Sequence, residues 1–116
     1  METPKPIPRP DSIESFMNIM SIGFNPERAS EIKAVIQFNF SGEVTGSCHF
    51  EIEGGQITAK EGISPNPNLI VESPFEIWMD VITGKVQGQD MFMQQKFKAS
   101  GDFMLLLRMN EIFSRR

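Results

Sequence analysis

The stretch KAVIQFNFSGEVTGSCHFEIEGGQITAKEGI, Lys33–Ile63, decides the fold, because along it apolar side chains return at every second position. Ala34, Ile36, Phe38 and Phe40 alternate with Lys33, Gln37, Asn39 and Ser41. After a turn at Ser41-Gly42-Glu43, Val44, Gly46, Cys48, Phe50 and Ile52 alternate with Thr45, Ser47, His49, Glu51 and Glu53. A period of two sends the two sets to opposite faces of a strand. Gly54-Gly55 closes a hairpin into QITAKEGI, so three strands form an antiparallel meander with one apolar face. The loop SPNPN is rich in turn residues, and NLIVE after it predicts a fourth strand.

Toward the amino terminus, Ile13, Phe16, Met17, Met20 and Phe24 share one helix face, with Ser12, Glu14, Ser15, Asn18 and Ser21 on the other. Asp11 and Glu14 have capping-box spacing, and NPERAS adds a short turn of helix. Pro4, Pro6, Pro8 and Pro10 favour an extended segment, so residues 1–10 are a proline-rich tail or a linker and residues 11–116 the domain.

Toward the carboxyl terminus, Ser73-Pro74-Phe75-Glu76 predicts a helix start, with Ser as N-cap, Pro at the first turn and Glu three residues on. Its polar residues Glu76, Asp80 and Thr83 form one narrow stripe, and Gly84 suits the C-terminal cap. The segment QDMFMQQ leads to a strand KFKAS. The last element, GDFMLLLRMNEIF, starts at an Asp102 N-cap and carries five apolar residues in a row, Phe103 to Leu107. The order is that of a two-layer α+β domain. Two of its helices are apolar around much more than one face, which calls for an internal cavity or a partner.

Composition narrows the function. A net charge of −4 without blocks of like charge argues against nucleic acid. No apolar run approaches a membrane span, and the first residues lack the apolar middle of a signal peptide. One cysteine excludes an internal disulfide framework, so a reducing, cytoplasmic compartment is expected. Ten Phe, one Trp and no Tyr leave the rings almost without polar handles, and eight Met suit either a core or an adaptable apolar surface.

No catalytic set emerges. His49 and Cys48 are strand neighbours on opposite faces and cannot pair as base and nucleophile. Cys48 reads as a small core residue; His49, with Glu51 and Glu53, reads as a solvated sheet face rather than a metal site. Glu76 and Asp80 lie on a polar stripe. TGKVQG follows a helix, whereas a phosphate loop precedes one. The chain is therefore expected not to be an enzyme and to need no cofactor or metal.

The segment NLIVESPFEIWMDVITGKVQGQDMFMQQKFKASGDFMLLLRMNEIF, Asn68–Phe113, resembles the sterol carrier protein 2 family. The elements NLIVES, ITGK, MFMQ, KFKASGD and FMLLLRMNEIF occur in the family's order and spacing; the amino-terminal part is shorter than usual. The resemblance implies a five-stranded, mostly antiparallel sheet covered on one face by helices, with an apolar tunnel between the layers. It implies non-catalytic binding and transfer or presentation of fatty acids, fatty acyl-CoA, sterols or phospholipids. Carried onto this chain, the lining is Trp78, Met79 and Ile82, then Met91, Phe92 and Met93, and Leu105, Met109 and Phe113 of the last helix. Phe38, Phe40, Phe50 and Ile52 form the floor. Gln94 either contacts a ligand head or is a strand-end amide bonded to backbone. The alternative function is an accessory or dimerisation domain, associated with or covalently linked to a larger enzyme; monomer and dimer both remain open.

Overall fold

A computed structural model describes residues 9–114. The alternating stretch forms the meander: β1 (Ala34–Ser41), β2 (Gly46–Glu53) and β3 (Gln56–Glu61) pair antiparallel, with Phe38 opposite Cys48 and Ile52 opposite Ile57. Ile36, Phe38, Phe40, Cys48, Phe50 and Ile52 are buried, as one apolar sheet face requires. β4 (Leu69–Pro74) joins β1 in parallel, Val71 opposite Phe38, and β5 (Lys98–Gly101) closes that edge antiparallel to β4. The five strands run in the order β3-β2-β1-β4-β5.

A parallel neighbour obliges the chain to cross back over the sheet. It does so between β3 and β4, on the face away from the phenylalanines. Ser64 N–H donates to Gln37 Oε1 at 2.8 Å, and His49 Nδ1 lies 2.9 Å from the Gly62 carbonyl oxygen. This corrects the reading of His49 as a solvated residue: the crossing loop leaves it 7% exposed. Glu51 lies 3.1 Å from Lys60 and 3.9 Å from His49 Nε2, and Glu53 lies 3.4 Å from Lys33.

The helices α1 (Ile13–Gly23), α2 (Phe75–Ile82), α3 (Gly88–Met93) and α4 (Phe103–Ile112) complete the fold. α1 starts one residue later than expected, since Ser12 is its N-cap and the reciprocal partner is Ser15, not Glu14. Asn25 Oδ1 accepts from the N–H of Glu27 and Arg28, making NPERAS a hydrogen-bonded turn. The expected cap at Ser73 is also corrected. Ser73 and Pro74 are strand residues opposite Phe40 and Ser41, the helix opens at Phe75, and Glu76 accepts from the Glu43 N–H instead of capping. Asp102 does cap α4, accepting from Met104 N–H at 3.0 Å. Of the proline-rich tail, residues 1–8 lie outside the described residues; Arg9 binds Asp80 of α2 at 2.6 Å and Pro10 is buried. Residues 115–116 of the expected domain also lie outside.

Candidate ligand-binding site

The aromatic face of the sheet is the natural floor of a site, and α1 and α2 supply its cover. Phe16 of α1 sits edge-on to three floor rings, with centroids 5.2 Å from Phe38, 5.0 Å from Phe40 and 5.9 Å from Phe50. Phe75 of α2 meets Phe40 at 5.2 Å, and Trp78 meets Phe38 at 5.4 Å. At the far end Phe113 touches Phe50 and Phe24. Apart from the tilted Trp78–Phe38 pair these contacts are edge-to-face, which suits the ring quadrupoles, and they bring together rings far apart in sequence.

From Trp78 the rings continue outward. Phe97 lies 5.2 Å from Trp78, Phe92 of α3 lies 5.5 Å from Phe97, and Phe103 of α4 lies 6.2 Å from Phe92. Exposure rises along this file from 0% at Phe38 and 4% at Trp78 to 38% at Phe92 and 49% at Phe103. The outer end is flanked by further apolar residues in water, Met93 and Leu107 each 73% exposed and Met104 close behind.

The residues expected to line a cavity thus fall into three groups. Phe38, Phe40, Phe50, Ile52, Trp78, Met79, Leu105 and Met109 are buried in the layer between sheet and helices. Ile82, Met91 and Phe113 are half-buried against that layer. Phe92, Met93 and Gln94 stand at the surface, Gln94 as the C-terminal cap of α3 rather than at a strand end. Phe16 and Phe97 were not among the expected lining residues. Phe97 had a usable signal, an apolar side chain between Lys96 and Lys98; Phe16 announced only that it faces a core.

Two open clefts flank this system. One, of about 420 Å³, is lined by Phe40, Ser73, Pro74 and Phe97 among others, and so shares rings with the aromatic file. The other, of about 220 Å³, lies between Ile32, Asn68 and Arg108. The one cysteine among the described residues lies buried in the sheet. The Cys48 thiol is pushed up to about 12 by burial and then by the nearby Glu61 charge, which keeps it protonated. Among the described residues no three His, Cys, Asp or Glu converge as metal ligands, and no helix is long and apolar enough to cross a membrane.

A helix-covered, five-stranded mixed sheet of this order defines the class of small α+β domains to which the sterol carriers belong. The chain is a member of the SCP-2 sterol transfer family, whose family model matches residues 23–114. No curated protein sequence matches it. Among solved structures it is similar to the apo sterol carrier protein 2 of Yarrowia lipolytica, with 20% identity over 85% of this chain and 87% of that one, TM-score 0.71. It is similar to palmitated SCP2L2 from Aedes aegypti, with 20% identity over 90% and 98% of the two chains, TM-score 0.67. It also resembles the stereoselective inverting sec-alkylsulfatase Pisa1 from Pseudomonas sp., with 14% identity and TM-score 0.78 over 88% of this chain. The match spans only 16% of the sulfatase chain. At these identities the likeness is one of fold.

Proposed function

We propose that this domain binds long-chain apolar lipids between its sheet and helices and transfers or presents them without chemical change. The observation that carries this reading is the file of rings from Phe38 through Trp78, Phe97 and Phe92 to Phe103, buried at one end and open to water at the other. A ligand enters beside α3 and α4, where Phe92, Met93 and Leu107 are exposed, and displaces side chains inward. Met79, Met91 and Met109 supply walls that can re-pack around different chains. Burial of an acyl chain gains about 0.8 kcal/mol per methylene, so micromolar affinity needs no elaborate polar contact. Fatty acids, acyl-CoA, sterols and phospholipids are therefore all ligand classes to compare, and the palmitated mosquito relative makes palmitate the first choice. The test is displacement of a fluorescent fatty acid by natural lipids; a stoichiometric, saturable signal is expected. Absence of binding by every long-chain ligand below about 100 μM overturns the reading.

A second reading rests on the sulfatase likeness. There the same fold is one part of a much longer chain, so the exposed apolar end of α3 and α4 would dock on an enzyme domain or on a second copy of this domain. Light scattering separates the two: a monomer that binds lipid supports the first, whereas a tight dimer that hides α4 and takes no lipid supports the second.

A further inference from the structure

Trp78 is 4% exposed, and its indole Nε1 is the one buried side-chain nitrogen or oxygen among the described residues with no hydrogen-bond partner. A buried donor without a nitrogen or oxygen partner carries a desolvation penalty, and Phe at this position would pack against Phe38 and Phe97 without it. A trapped water does not answer the need, because buried water requires several polar partners. The other buried polar side chains are engaged elsewhere. Gln37, His49 and Ser64 belong to the crossing loop's face of the sheet, and the Ser73 hydroxyl donates to the Pro74 carbonyl at 2.8 Å.

On the lipid-binding reading, on which this step rests, we infer that Trp78 Nε1–H is the donor that fixes an oxygen of the bound lipid. That oxygen is neutral: an ester or ketone carbonyl, an ether or a hydroxyl. An ionised carboxylate in this layer would need a cation or several donors to offset its desolvation, and the layer offers one donor among phenylalanines. Trp78 thereby sets which atom of a long-chain ligand lies beside Phe97, and its selectivity is for oxygen-bearing chains over hydrocarbon.

The test uses methyl laurate and tetradecane, chains of matched length with and without an acceptor, competed against a fluorescent fatty acid on the full chain and on Trp78→Phe. The substitution should weaken methyl laurate about tenfold and leave tetradecane unchanged. Because the chain holds one Trp, its single indole N–H resonance in the unaltered protein is a second, independent readout. It should move downfield with methyl laurate and stay with tetradecane. Equal effects on both ligands, or no effect on either, overturn the inference and leave lipid binding intact; an edge-on N–H contact to the Phe97 ring would give that result. Failure of both ligands to bind the unaltered protein while the fluorescent fatty acid binds overturns this inference alone; failure of the fatty acid as well overturns the lipid reading with it.

Discussion

The side-chain oxygen of Asn68 accepts the Val35 backbone N–H at 2.7 Å, while the Asn68 N–H donates to the Val35 carbonyl at 2.8 Å. The residue therefore extends the β1 pairing one step before β4 begins. Its own backbone carbonyl accepts the Asp102 N–H at 2.8 Å, so the same residue reaches the N-cap of α4. Asn68→Ala is expected to lower stability by about 1 kcal/mol in urea unfolding. Asn68→Asp keeps the acceptor and should lose less than half as much; equal losses would show that the Val35 bond contributes nothing.

Gly101 has φ +102°, and a Cβ there would run into the Asn68 carbonyl. Gly101→Ala should cost about 2 kcal/mol or more, because strain and clash add. Gly54 has φ +60° and open space around it, so Gly54→Ala should cost only about 1 kcal/mol. Thermal melts of the two variants check the order.

Phe16 covers three floor rings and is fully buried. Phe16→Ala is expected to cost about 3–5 kcal/mol, the range for deleting a buried ring. A cost near 1 kcal/mol would mean that the floor rings close over the gap.

Cys48 makes stability depend on alkaline pH. Its folded pKa, about 12, lies above the 9.0 of an ordinary thiol, so its contribution is complete below pH 9. As pH rises from there toward 12, the unfolded chain releases the thiol proton while the folded chain keeps it, and stability falls. Denaturant midpoints measured across that window should slope downward, and Cys48→Ala should remove part of the slope. A thiol reagent at pH 8 should label the native protein only at the rate of unfolding.

Met93→Lys and Leu107→Lys alter side chains that are mostly in water, so each should change stability by less than about 0.5 kcal/mol. If lipid enters at this end of the ring file, stopped-flow uptake of a fluorescent fatty acid should slow several-fold in both. Unchanged uptake would move the entrance elsewhere.

The strands were legible because Ile36 to Phe40 and Gly46 to Ile52 alternate, and the Asp102 cap because nothing competes with it. Where the sequence misled, a distant contact decided. Ser73-Pro74-Phe75-Glu76 obeys helix-start grammar, yet pairing with Phe40 and Ser41 extends the strand through Pro74. His49 alternates onto a polar face, and only the return of the chain at Gly62 and Ser64 buries it. The parallel placement of β4 has no local signature at all. Asp11 and Ser12 are both good caps, and a choice between adjacent caps depends on a single hydrogen bond. At the site, individual apolar residues could be named. The ring-to-ring order could not, since Phe16 and Trp78 meet their partners across long separations in sequence.

The place of β1 at the centre of the order β3-β2-β1-β4-β5 carries a kinetic meaning. On one side β1 meets a strand joined to it by a tight turn; on the other, one that must first cross the sheet. Short loops close sooner than long ones, so α1 and the meander can assemble before β4 arrives. Phe16 would then shelter Phe38 and Phe50 while Trp78 is still to come. Phe16→Leu is accordingly expected to slow folding, whereas Trp78→Phe is expected chiefly to quicken unfolding.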